Sequence, residues 1–253
     1  MILRTIIGVS FAFLMTMLGS SLVFFFKKDI NTKLKTIFYG LSAGIMLAAT
    51  IWSLIIPSIN NSTYLGKFSF IPAVIGILVG AGFIALLDFI VKPKANSGFE
   101  SNKNLKFFLA VTIHNIPEGL AVGFAFGVAL QAQSMALCMS ALSLAIGMGL
   151  QNFPEGAAIS LPLKSAFKSR AKAFLYGFYS AVVEAVASIL GIFLAMQLSS
   201  VLSYILAFAA GAMLYVIIEE LLPEANLNGY NKLGTWCFII GFLLMMVLDI
   251  VFA

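Results

Sequence analysis

His114-Asn115-Ile116-Pro117-Glu118-Gly119 and Gln151-Asn152-Phe153-Pro154-Glu155-Gly156 are two versions of one hexapeptide, identical at four of six positions and offset by 37 residues. Each lies deep in a long apolar run, 105–130 and 134–161. A helix needs about 20 apolar residues to cross about 30 Å of hydrocarbon, and both runs exceed that. Spacing i to i+4 puts His114 and Glu118 on one helical face, and Gln151 and Glu155 on the matching face of the next helix; spacing i to i+3 brings Asn115 to Glu118 and Asn152 to Glu155. A charge at mid-membrane costs roughly 3 kcal/mol or more. Two carboxylates, an imidazole and three amides are tolerable there only if they face one another, water or an ion, and two facing carboxylates repel unless a proton or cation joins them. Pro117 and Pro154 each remove a backbone donor and push away the carbonyl four residues earlier, at Ile113 and Leu150. They predict two broken helices whose freed carbonyls anchor water or an ion. Gly119 and Gly156 let a neighbouring helix come close.

Outward from this pair, six further apolar runs cover about 5–26, 34–57, 70–91, 171–198, 200–222 and 233–252. The chain of 253 residues is 61% hydrophobic and 10% charged, with a mean hydropathy of +1.05. Composition this apolar excludes a soluble domain. The expected fold is all-α and polytopic, eight transmembrane helices in a single domain over 1–253. Runs this long are not the strands of a membrane barrel.

Thirteen of the 15 basic residues fall in alternate connectors: Lys27, Lys28, Lys33 and Lys35; Lys92, Lys94, Lys103 and Lys106; Lys164, Lys168, Arg170 and Lys172; and Lys232. Only Arg4 and Lys67 lie on the other side. The positive-inside rule then puts the basic loops in the cytoplasm and both termini outside, in the plasma (bacterial inner) membrane. Basic residues confined to connectors also exclude nucleic acid as a partner. The first run resembles a signal peptide in its Arg4 and Gly19-Ser20-Ser21, but its length and the Lys27-Lys28 that follows mark a retained helix. Cys138 and Cys237 are far apart in apolar runs and read as small buried hydrophobes. Connector 92–104 is polar and lacks histidine.

A weaker repeat links Gly44-Ile45-Met46-Leu47 and Leu54-Ile55-Ile56-Pro57 in the second run to Gly211-Ala212-Met213-Leu214 and Glu220-Leu221-Leu222-Pro223 in the seventh. Helices 2 and 7 run in opposite directions in this topology, as do 4 and 5. Inverted repeats, helices 1–3 and 6–8 around a central 4/5 pair, are a common transporter architecture with the site at the midplane. Past Lys172 at its start, Glu184 is the sole charge inside the sixth run: either a further ligand or a structural partner of Ser180 or Ser188. One imidazole, three carboxylates and several amides suit borderline divalent ions such as zinc, iron or manganese, and the lack of thiolate argues against copper(I). Met46 is a soft ligand or simply packing. Glu219 and Glu220 are exit-side ligands or solvated ends, and Asp88 and Asp249 read as solvated ends, with an entrance ligand as the alternative.

With these residues in hand, the paired hexapeptides resemble the helix 4 and helix 5 signatures of the ZIP (Zrt/Irt-like) metal transporters. Met46-Leu47-Ala48-Ala49 with Trp52-Ser53-Leu54, and Glu219-Glu220-Leu221-Leu222-Pro223-Glu224-Ala225, resemble its bacterial GufA-like branch. The resemblance implies a binuclear site: His114, Glu118, Gln151, Glu155 and Met46 at one metal, and Asn115, Glu118, Asn152, Glu155 and Glu184 at the other, with Glu118 and Glu155 bridging. It implies Ser53 and Asp249 on the outer entrance path and Glu219 and Glu220 on the cytoplasmic release path. It further implies inward transport of zinc, with cadmium, iron and manganese as other substrates, a homodimer, and an elevator-like motion of helices 1, 4, 5 and 6 against 2, 3, 7 and 8. The metal is substrate, and no catalytic cofactor is expected. Gln151 stands where many relatives carry His, which weakens nitrogen ligation, and Asn60 stands where they often carry a carboxylate or His.

Other classes compete less well. There is no Gly-rich phosphate loop for an ATP-driven pump. An intramembrane metal hydrolase would need more than one histidine, and no HExxH is present. A proton or monovalent-cation carrier would use the carboxylates without metal.

Overall fold

The computed structural model describes residues 1–26, 31–91, 100–198, 201–226 and 231–252, with the backbone alone at 91, 100–111, 114, 162, 165, 166, 231 and 252. The described residues form long helices and no strand: α1 Ile2–Phe25, α2 Thr32–Asn60, α3 Ile71–Val91, α4 Glu100–Gln131, α5 Met135–Phe167, α6 Arg170–Gln197, α7 Leu202–Asn226 and α8 Asn231–Phe252. Seven of them, all but α4, are long and apolar enough to cross a membrane. Leu78, Phe89, Ile189, Phe193 and Ile250 are exposed on their outward faces. A chain so built cannot shelter these faces itself and is a polytopic membrane protein.

Turn chemistry sets several helix ends. The side chains of Asn31, Ser134 and Ser169 accept from the backbone N–H groups of Leu34, Leu137 and Lys172 and so start α2, α5 and α6. Between α2 and α3 a short turn, Thr63–Phe68, contains Gly66 at φ 56°, a left-handed value that glycine adopts without strain. Helix α5 ends six residues later than the apolar run predicts, at Phe167, and Lys168 at φ 49° makes the turn. Hydropathy marks where a helix leaves lipid; its backbone hydrogen bonds persist beyond. Lys164 and Arg170 at this end donate to the carbonyls of Phe26 and Phe24, at and just beyond the end of α1, where cations are favoured. Of connector 92–104, residues 92–99 lie outside the described residues, and α4 already begins at Glu100.

The expected breaks at Pro117 and Pro154 do not occur: α4 and α5 run through both prolines as continuous helix. Neighbouring helices and local adjustment satisfy the backbone groups that a proline frees, so the helix continues past it. The interruptions are instead in α2 and α7. Residues Thr50–Ile55 and Ile217–Leu221 form π-helical turns, each ending two residues before a proline, Pro57 and Pro223. A proline pushes away the carbonyl four residues back, at Ser53 and Glu219, and a wider turn relieves that clash.

The helices associate chiefly in four close pairs: α1 with α5, α4 with α6, α2 with α8, and α3 with α7. Helices α1, α4, α5 and α6 pack on one another as one group, and α2 and α7 join the other two pairs into a second. Glycines allow the close approach. A Cβ on Gly44 would strike the Phe238 carbonyl of α8, and one on Gly211 the Ile77 carbonyl of α3. Contact of helix backbones at small residues replaces the hydrophobic driving force that lipid abolishes.

Candidate metal centre

Both hexapeptides sit where α4 and α5 cross near their middles. Each is clamped at its glycine: a Cβ on Gly119 would meet the Glu184 carbonyl of α6, and one on Gly156 the Thr16 carbonyl of α1. The asparagines are tied in the same fashion. Asn115 Nδ2 donates to the Ser180 carbonyl of α6 at 3.2 Å and to Ser180 Oγ at 3.1 Å. Asn152 Nδ2 donates to the Ala12 carbonyl of α1 at 3.4 Å.

Asn152 also donates to Glu184 Oε1 at 2.6 Å, and Thr16 Oγ1 donates to Glu184 Oε2 at 3.1 Å. Glu184, 1% exposed, therefore faces α5 and α1. The alternative pairing with Ser180 or Ser188 is corrected: Ser180 serves Asn115 and Thr112, because its position on α6 faces α4. Gln151 Nε2 donates to Asn152 Oδ1 at 2.7 Å and its amide faces the Glu118 carboxylate.

What this network leaves over is informative. Glu118 Oε2, Glu155 Oε1 and Asn115 Oδ1 are buried and have no hydrogen-bond partner among the described residues. All three are acceptors, one or more from each hexapeptide, so the group they lack is a donor or a cation. Carboxylates held this way without compensation cost more than neutral groups do. Among the described residues, no three His, Cys, Asp or Glu side chains enclose a metal position; the side chain of His114 lies outside them, and the other polar groups near the carboxylates are amides and hydroxyls.

Met46 is buried in the apolar cluster of the core, as is Met213 of α7. On the cytoplasmic side of the expected topology a small cavity is lined by Phe38, Tyr39, Ser42, Gln151, Glu155 and Leu221. Glu220 is half-buried and close enough to Glu155 to act on it electrostatically, whereas Glu219 is exposed. At the opposite end, a cavity of about 230 Å³ reaches Ser53 and is bordered by Asn60, Asn61 and Ser140. Ser53 Oγ donates to Asp249 Oδ1 at 3.1 Å and Ser143 Oγ to the same oxygen at 3.4 Å. Asp249 is 4% exposed, so the reading of a solvated helix end is corrected, and Asp88, 7% exposed, likewise accepts from Tyr215. Proximity to a helix end does not place a side chain in water when a neighbouring helix covers it.

Thr16 and Ser143 were not legible as site residues. Isolated hydroxyls in apolar spans are common, and only the packing shows which carboxylate they serve. Two outcomes follow. Asn152→Leu removes a charged hydrogen bond from Glu184 and should cost about 1.5–3 kcal/mol in thermal unfolding. Ser143→Ala leaves Ser53 as the one described donor to Asp249 and should cost about 1 kcal/mol; no change in unfolding for either variant would mean that the bond contributes nothing.

Comparison with known proteins places the chain in a family. The profile of a family described as ZIP Zinc transporter matches residues 102–249. Zinc transporter ZIP11 of Xenopus tropicalis is 35% identical, covering 98% of this chain and 97% of its own length. Zinc transporter GufA of Myxococcus xanthus is 36% identical over 83% of this chain and 84% of its own. Zinc transporter ZupT of Chlorobaculum parvum is 34% identical over 95% and 97%. The chain belongs to the ZIP family, in its GufA-like branch, a family of zinc transporters rather than enzymes.

Proposed function

We propose that this protein imports divalent transition-metal ions, zinc foremost, across the plasma membrane into the cytoplasm through an intramembrane binuclear site. The observation that carries the reading is the set of buried acceptors with no partner among the described residues, Glu118 Oε2, Glu155 Oε1 and Asn115 Oδ1, at the crossing of α4 and α5. His114, Asn115, Glu118, Gln151, Asn152, Glu155, Glu184 and Met46 would supply ligands, with Glu118 and Glu155 bridging. Carboxylate and amide oxygens around one imidazole accept zinc, cadmium, iron(II) or manganese. The names of the relatives favour zinc.

All eight helices cross the bilayer on this reading, with both termini outside. The matched contacts support an inverted repeat: Asn115 to Ser180 beside Asn152 to Ala12, and Gly119 against Glu184 beside Gly156 against Thr16. So do the π turns at corresponding places in α2 and α7. The Ser53 cavity opens toward the outside and the Glu155 cavity toward the cytoplasm. Sliding of α1, α4, α5 and α6 against the other four helices would connect the site to each in turn. Metal would pass Asp249 and Ser53 on the way in and Glu220, with Glu219 beyond it, on the way out.

The test is uptake into proteoliposomes of zinc, cadmium, manganese and iron(II), with a Glu118→Ala/Glu155→Ala control. Saturable uptake that the control loses is the expected result and ranks the substrates. A folded protein that moves none of these ions would overturn the reading. A carrier of protons alone would use the same acceptors, but added metal would not raise its unfolding temperature.

A further inference from the structure

A cavity of about 480 Å³ lies between α3, α4, α6 and α7, away from the polar centre. Eleven described residues line it, and among them Tyr204 is the only one whose side chain carries a polar atom. Its floor includes Phe124, 1% exposed; its rim includes Ile75, Val79 and Val201, with Val79 57% and Val201 40% exposed. These rim residues belong to the outward apolar faces that a bilayer covers. The cavity thus opens sideways onto lipid.

Its position follows from the helix pairing. Helices α3 and α7 are clamped together at Gly76 and Gly80, and α4 and α6 at Gly123 and Gly127. Neither pair can hold a gap of this size within it. The gap falls between the pairs, where side chains on opposite walls do not meet.

We propose that this cavity is a binding site for an acyl chain of a bilayer phospholipid. Water gains no partners on walls this apolar, and an empty void forfeits packing. The volume lies within the range of small-molecule sites. A hydrocarbon chain is apolar and narrow, and lipid is present at the rim throughout. A second copy of the protein is a poorer occupant. A helix with its side chains is about 10 Å across, and a stable dimer interface needs about 800 Å² per partner, more than a cleft of eleven residues offers. The lining residues lie in the first turns of α3 and at the α6–α7 junction, which assigns the chain to the outer leaflet in the proposed orientation. The inference rests on the bilayer setting and not on metal transport. If the two helix groups slide, however, the chain occupies the surface along which they do so.

Tryptophan quenching by phospholipids brominated along the acyl chain tests this. In a Trp52→Phe/Trp236→Phe background, F124W reports from the floor, V247W from an outward face, and L144W from the buried core. The expected result is that F124W is quenched to nearly the extent of V247W, with L144W unaffected. Adding Val79→Phe, which narrows the mouth, should reduce quenching of F124W at least twofold. If F124W does not fold, Leu194→Trp reports from the same walls. No quenching of the cavity reporter while V247W is quenched would overturn the proposal; cross-linking of two copies through Val79→Cys in that case would identify a dimer as what covers the cavity. Zinc uptake by the same proteoliposomes reads the transport proposal separately.

Discussion

Glu118→Gln is expected to reduce metal uptake more than about tenfold and, in metal-free buffer, to raise the unfolding temperature. The two effects have one origin. Glu118 is 1% exposed and one of its oxygens has no partner among the described residues, while Glu155 and Glu184 place like charge nearby. A metal ion would compensate all of this, but the metal-free protein carries it as a burden. Glutamine keeps the shape and the acceptor that Gln151 faces, and removes the charge. Loss of one charged ligand interaction is worth about 1.5–3 kcal/mol, and about 1.4 kcal/mol is a factor of ten in affinity. Relief of the buried, unsatisfied group is worth about 1–3 kcal/mol. That corresponds to a rise of at least about 2–4 °C for a chain of this size. Metal should then stabilise the parent protein but hardly the variant. Parental uptake would remove Glu118 from the ligand set. A lower unfolding temperature would show that groups within the protein already balance its charge.

The second large effect is expected at the glycine clamps. In Gly119→Ala the new methyl group falls against the backbone oxygen of Glu184 and within 2.8 Å of Ala187 Cβ. In Gly156→Ala it falls against the Thr16 oxygen and within 2.9 Å of Ser20 N. The obstacles are mainly backbone, so helices must separate. Overpacking commonly costs about 1–3 kcal/mol, and these sites belong at the upper end. Moving α6 from α4 also displaces Glu184 from its bonds to Asn152 and Thr16, so uptake should fall together with stability. Gly82→Ala is the control: among the described residues nothing lies within 4 Å of its added Cβ, and alanine favours helix over glycine by about 0.5–1 kcal/mol. Thermal unfolding in detergent of the three variants checks this. Equal behaviour of Gly119→Ala and Gly82→Ala would mean that the helices do not depend on the close contact.

Much of this was legible in the residues because the bilayer is a severe solvent. Hydrocarbon forces long apolar helices, so an all-helical polytopic fold could be read from composition; the end of α5 at Phe167 could not, because hydropathy does not report a helix that continues past its apolar run. The same solvent makes polar residues inside a span costly, so the twin hexapeptides and Glu184 stood out without any structure. Their glycines also announced close contacts, since a helix in lipid has few other ways to bind its neighbours. Tertiary structure alone decided which contacts those are. Glu184 turns to Asn152 and Thr16 rather than to a serine of its own helix, Asp249 is covered rather than solvated, and Pro117 and Pro154 sit in unbroken helices while the irregular turns fall before Pro57 and Pro223. Each depends on which helix lies opposite, and that is set by backbone fit summed over whole faces, a quantity spread over residues far apart in the chain and carried by no local motif.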